Sequence, residues 1–222
     1  MREVVDEFCD LLQVHANRDK VVSLASYALK LWGARTQSKP LLGASARLAG
    51  ARATLRLFDD AAALRAAFTC GLGKQEGPFW GALGVASSAV TLAFLQAEKL
   101  VWLLDTGLLT LSQDLDYKLR TAHKTLWLLI SAVGFVRSIK ALHVAATELK
   151  SPHPRKCAPA RFTQASLLST KLFLDVVHFG SWLPIGWLWG GRLSLEHGSG
   201  IATASAVLGL VAHYHGKRLA PR

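Results

Sequence analysis

Proline, cysteine and charge are all scarce in this sequence, and each shortage removes a class of protein. More than half of the 7 prolines fall in two places, Pro152 to Pro159 and Pro184. The long proline-free stretches favour helices over turn-rich β architecture. The 3 cysteines, Cys9, Cys70 and Cys157, are odd in number and far apart, which excludes a disulfide framework and any CxxC site. Charged residues make up 18% of the chain against 51% apolar, whereas an average soluble domain is roughly 25% charged. That deficit points to lipid as part of the solvent. The first ten residues hold four acidic side chains and no apolar core, so no secretory signal peptide is expected. The end, Ala220-Pro221-Arg222, is not the Ser-Lys-Leu matrix address.

Chemistry is also missing. None of the 18 glycines builds a GxGxxG fingerprint or a phosphate loop ending in Lys-Ser or Lys-Thr, and no nucleophile elbow or clustered ligand set occurs. His213 and His215 are two residues apart and fall on different helix faces. His143 and His178 lie alone in apolar surroundings, whereas metal ligands come in sets. Asp59-Asp60 sits near Arg52 and Arg56 on a helix, which reads as a charged face rather than an acid pair. No catalytic residue, metal site or cofactor is expected.

What the chain does have is positive charge: 26 Lys and Arg against 15 Asp and Glu, a formal +11. The basic residues are scattered in pairs such as Arg155-Lys156 and Lys217-Arg218, without the stripe, zinc-finger spacing or aromatic signature of nucleic-acid binding. An anionic membrane surface is the better partner.

Apolar residues recur at helical spacing over 3–32, which reads as two amphipathic helices broken near Asn17-Arg18-Asp19, with Asn17 as N-cap. Residues 33–43, with Pro40, read as a connection. A further helix is expected over Ala46 to Phe68, ended by Gly71-Leu72-Gly73. Its Arg52, Arg56, Asp59 and Asp60 share one arc of about a quarter turn. Gly77 to Ala97 is 21 residues without a charge, yet its glycines, serines and Pro78 suit a buried or interfacial helix better than a span. Leu100 to Leu119 continues as an amphipathic segment.

The expected fold class is therefore all-α: a helical membrane protein with N-terminal amphipathic helices and two predicted transmembrane helices. The first span is 124–144, dense and uncharged at its centre, with Arg137 or Lys140 snorkelling. The second is 197–216, where Gly198, Ala202, Ala206 and Gly209 offer small residues for close helix packing. An amphipathic region over 1–123, a basic proline-containing linker over 145–165, a tryptophan-rich amphipathic segment over 166–196 and a basic tail over 217–222 complete the organisation. Tryptophans such as Trp182, Trp187 and Trp189 suit the headgroup boundary.

Several of these segments resemble, in order, the peroxisomal membrane protein 11 (peroxin-11) family. They are Asn17-Arg-Asp-Lys-Val21 with Tyr27 and Leu31, then Ala51 through Asp60 with Gly71-Leu-Gly73. Leu126 through Ser138, and Trp182-Leu-Pro through Leu188-Trp-Gly-Gly-Arg192, complete the set. All of these segments after the first are similar to the family's gamma branch. The resemblance implies a multi-pass peroxisomal membrane protein with two spans, both termini cytosolic, and a role in peroxisome elongation and division. It also implies homo- and hetero-oligomers with related members, and contact with fission machinery. In that family an amphipathic helix before the first span inserts into one leaflet. The matching segment is Ala46 to Phe68, with Arg52 and Arg56 at anionic headgroups and Leu48, Leu55, Leu57 and Phe58 towards the acyl boundary; Asp59-Asp60 departs from a fully basic end. A small channel or transporter, or a helical adaptor recruiting fission factors, are the competing readings.

Overall fold

The computed structural model describes residues 14–69, 77–153 and 155–219. Among them the chain forms seven helices and no strand: α1 (His15–Arg35), α2 (Lys39–Arg56), α3 (Asp60–Thr69), α4 (Pro78–Asp105), α5 (Gln113–Leu149), α6 (Ala158–Gly180) and α7 (Leu195–Leu219). The helix expected at the extreme N-terminus, Cys9, Cys70, Gly71-Leu72-Gly73 and the last three residues lie outside the described residues.

Boundaries follow local chemistry and correct the sequence reading in four places. The helix start expected near Asn17–Asp19 moves back to just behind Val14, and Asn17 instead turns its side-chain oxygen to Lys20 Nζ at 3.2 Å. The connection expected over 33–43 shrinks to Thr36–Ser38, because Pro40 sits in the first turn of α2, where its missing N–H is no loss. The helix expected across 46–68 is divided at Leu57–Asp59 into α2 and α3. The linker is shorter than 145–165, since α5 continues to Leu149 and α6 begins at Ala158 with Pro159 in its first turn. Gly107, at φ +75, terminates α4 in the left-handed conformation glycine adopts without strain. Asp114 and Asp116 open α5, placing negative charge at the positive end of its dipole.

The helices close into a ring. α1 packs on α2 and α7, α7 on α6, α6 on α5, α5 on α4, and α4 on α3 and, more lightly, on α2. Leu128, Phe179 and Leu183 form the buried apolar cluster, with Trp127, Val176 and Trp182 against it. The Trp127 and Phe179 rings stack at 4.6 Å between centroids. Beyond α6, residues 181–194 turn back on themselves, and Trp189 Nε1 donates to the Val177 carbonyl at 2.7 Å. Gly180 is required there, because a Cβ would collide with the Trp189 indole.

Among the described residues, two helices are long and apolar enough to cross a membrane, α4 and α5. The expected span 124–144 lies inside α5. The other is α4, which contains the uncharged 77–97 stretch. The expected span 197–216 lies inside α7, which is helical but not one of the two, its apolar character diluted by His197, His213 and several small residues. Only 22% and 17% of the most apolar windows of α4 and α5 are buried, whereas the core helix of a soluble bundle would be mostly covered. Buried among the described residues are as many polar or charged side chains as apolar ones. A protein with that inverted distribution suits hydrocarbon better than water.

Candidate functional site

Two features stand out: an apolar outer face on α2–α3 and a polar interior behind it. On the outside, Phe58 is 84% and Phe68 81% exposed, with Leu55 and Leu64 exposed beside them. Leu48 and Leu57 are half-buried. These residues share the surface with Arg47 and Arg65, while Arg52, Arg56 and Asp60 turn towards counter-charges on other helices.

Arg52 is only 8% exposed. Its Nε and Nη2 donate to the two Asp19 oxygens at 2.8 and 3.0 Å, the bidentate geometry that suits a guanidinium to a carboxylate. Burial opposes the Arg52 charge, but Asp19 and Tyr27 together hold its pKa above the ordinary value. Burial likewise pushes the Tyr27 phenol up, and Arg52 partly offsets this. Arg56 forms an ion pair with Glu98 of α4 and lies 5.3 Å from the centroid of the Trp127 ring, a cation–π distance. Asp60 pairs with Lys99 and accepts from Gln96 at 3.2 Å. Trp102 Nε1 donates to Thr54 at 3.0 Å. Arg52 and Arg56, expected at lipid headgroups, are thus each paired with a carboxylate of another helix, Asp19 and Glu98.

Those arginines line a cavity of about 460 Å³ at the centre of the ring, to which all six surrounding helices contribute. Asp19, Lys20 and Tyr27 face it from α1, Ser87 from α4, Ser131 from α5, and Lys171, Asp175 and His178 from α6. Lys171 donates to Asp175 at 2.5 Å, and Ser205 donates to Asp175. Burial lowers the Lys20 pKa, with the Lys171 charge adding to the effect. From α7 come Ala202, Ala206 and Gly209. The small-residue face foreseen on that helix is thus brought together with Arg52 and Arg56 at one cavity. Gly209 lies beside Lys171 and Gly198 beside His178, a Cβ on either falling at ordinary contact distance. Among the described residues no group of three or more His, Cys, Asp or Glu could hold a metal ion.

Sequence reasoning missed Glu98, Asp19, Lys171 and Asp175. The signal available was weak: Glu98-Lys99 is the only charge interrupting the apolar run from 77 to 104, and such a charge in apolar surroundings asks for a partner.

Two long apolar helices with uncovered outer faces, joined to an amphipathic strap, define a helical membrane protein. The family model for Peroxisomal biogenesis factor 11 (PEX11) matches residues 5–212; the chain belongs to that family. It is similar to Peroxisomal membrane protein 11C of Mus musculus, 27% identical over 209 residues that cover 85% of this chain and 86% of the relative. Peroxisomal membrane protein 11C of Homo sapiens is 29% identical over 201 residues, 82% of each chain, in keeping with a gamma-like member. No solved structure matches. Membership makes this a peroxisomal membrane protein concerned with the biogenesis and division of the organelle.

Proposed function

We propose that the chain promotes elongation and division of the peroxisomal membrane without catalysis, by seating the outer face of α2–α3 in one leaflet while α4 and α5 anchor it across the bilayer. The observation that carries this is the exposure of Leu55, Phe58, Leu64 and Phe68 on a strap whose charged side is held inside by ion pairs. An apolar helix face buried about 5–10 Å into a leaflet expands that leaflet and favours curvature. Copies assembled with themselves and with related members would concentrate the effect, and the fission machinery would act on the resulting tubule. The two ends of the bundle lie together, Lys20 near the start of α1 approaching His213 near the end of α7 at 3.4 Å, and we take that shared side as cytosolic.

The test is tubulation of anionic liposomes by the reconstituted full chain. Leu55→Asp with Phe58→Asp should abolish tubules while leaving the protein membrane-bound; unchanged tubulation rejects the role for this strap. The polar cavity favours a second reading, a conduit for small solutes. It predicts solute flux through proteoliposomes that Gly209→Leu, which fills the cavity wall, would block; liposomes that stay tight reject it.

A further inference from the structure

The turn that follows α6 carries a cost that packing does not explain. Leu188 sits at φ +48, in the left-handed region that a leucine disfavours, yet its side chain is spread on the surface, 63% exposed. Beside it Ile185 is 90% and Trp187 54% exposed, whereas Trp182 and Trp189 are half-buried. The turn is fixed by its own backbone. The Trp187 N–H donates to the Pro184 carbonyl at 3.0 Å, the Gly190 N–H to the Trp187 carbonyl at 2.8 Å, and the Gly191 N–H to the Ser181 carbonyl at 3.0 Å. A backbone outlier held in place by its surroundings points to a functional surface.

Its place on the bundle says what covers these side chains. Pro184 and Trp187 close an open, largely apolar groove of about 510 Å³ against the first half of α5, lined there by Thr121, Thr125 and Leu126 among others. At that height α5 changes character: Lys118, Arg120 and Lys124 precede Thr125, and no charge follows until Arg137. Just before the turn, the Trp182 ring meets that of Trp127 at 5.6 Å, at the start of the uncharged run. The turn therefore stands where a spanning helix passes from headgroups to acyl chains, the level at which amphipathic rings such as that of Trp187 collect. No Asp, Glu, Lys or Arg lies between Asp175 and Arg192. Arg192 itself is exposed, a cation of the kind that anchors at headgroups. The strap reaches the same end of the hairpin on its other helix, through Thr54 and Trp102 near the end of α4.

We infer that the 184–188 turn is a second membrane contact, seated at the headgroup boundary of the leaflet at the loop end of the α4–α5 hairpin. Ile185 and Leu188 enter among the acyl chains there, and the Trp187 indole lies beneath the headgroups. The inference rests on the reading of α5 as a membrane span; it stands whether or not the strap inserts.

Quenching of a nitrobenzoxadiazole dye on single cysteines tests it, in the full chain in phosphatidylcholine proteoliposomes, with Cys9, Cys70 and Cys157 replaced by serine. At Ile185→Cys and Leu188→Cys, lipid bearing a nitroxide near the headgroup end of its acyl chain should quench severalfold more than iodide present on both sides. Asp114→Cys, at the charged start of α5, should show the reverse, and Leu129→Cys, inside the uncharged run, should follow the lipid quencher. Iodide quenching at both turn positions, with lipid quenching at Leu129→Cys, puts the turn in water and overturns this inference alone. Shielding of the turn from both quenchers means that protein covers it, and overturns the inference as well. Iodide quenching at Leu129→Cys defeats the spanning reading, and the inference falls with it.

Discussion

The α4–α5 hairpin and the α2–α3 strap both show apolar residues to the outside, but they reach that state differently. In the hairpin, the 12 residues of α5 between Lys124 and Arg137 are bare of charge, and charges stand at both ends. In the strap, Arg52, Arg56 and Asp60 sit mid-segment and are withdrawn into pairs with Asp19, Glu98 and Lys99. One region is apolar by composition, the other by pairing. The strap's outward face therefore depends on contacts that mutation can remove, while that of the uncharged α5 stretch does not.

Breaking a pair should have the largest effect. Glu98, 5% exposed, has Arg56 as its ion-pair partner, so Glu98→Ala leaves a buried guanidinium uncompensated, at a cost of about 3–5 kcal/mol. Thermal unfolding in detergent should show that loss, and Glu98→Leu combined with Arg56→Leu should recover most of it. Next, Leu129→Asp on the outer face of α5 should lower membrane insertion by about 2.5–3.5 kcal/mol, read as the fraction resisting carbonate extraction. The same change at Leu55, on the strap, should leave extraction unchanged, which sharpens the contrast. Trp102→Phe removes one hydrogen bond to Thr54 and should destabilise the strap's contact with α4 by about 1 kcal/mol, seen as faster amide exchange in α2. Smallest of all, Lys118→Ala breaks an exposed i,i+4 pair with Asp114 and should shift stability by about 0.3–0.5 kcal/mol.

The helical class, the long apolar helix around 124–144 and the family were legible because they rest on local signals: uncharged runs, period and segment order. The strap's outward residues Leu55 and Phe58 were also readable from helical spacing. The direction of its arginines was not, because Arg52 meets a carboxylate 33 positions earlier and Arg56 one 42 positions later, and pairs so distant leave no periodic trace. The packing of α4 was hidden for a related reason. Gly81 and Gly84 counted against hydropathy, yet they are buried and allow close approach: a Cβ on Gly84 would stand 2.6 Å from the Arg137 guanidinium. Small residues read as weak membrane formers act here as packing surface.

The withdrawal of charge from the strap is tested most directly by its immersion. A nitroxide placed at Phe58 of the full chain in anionic proteoliposomes should be relaxed more by oxygen, which partitions into lipid, than by a water-soluble nickel chelate. Greater relaxation by the chelate would put that face in water and contradict the account.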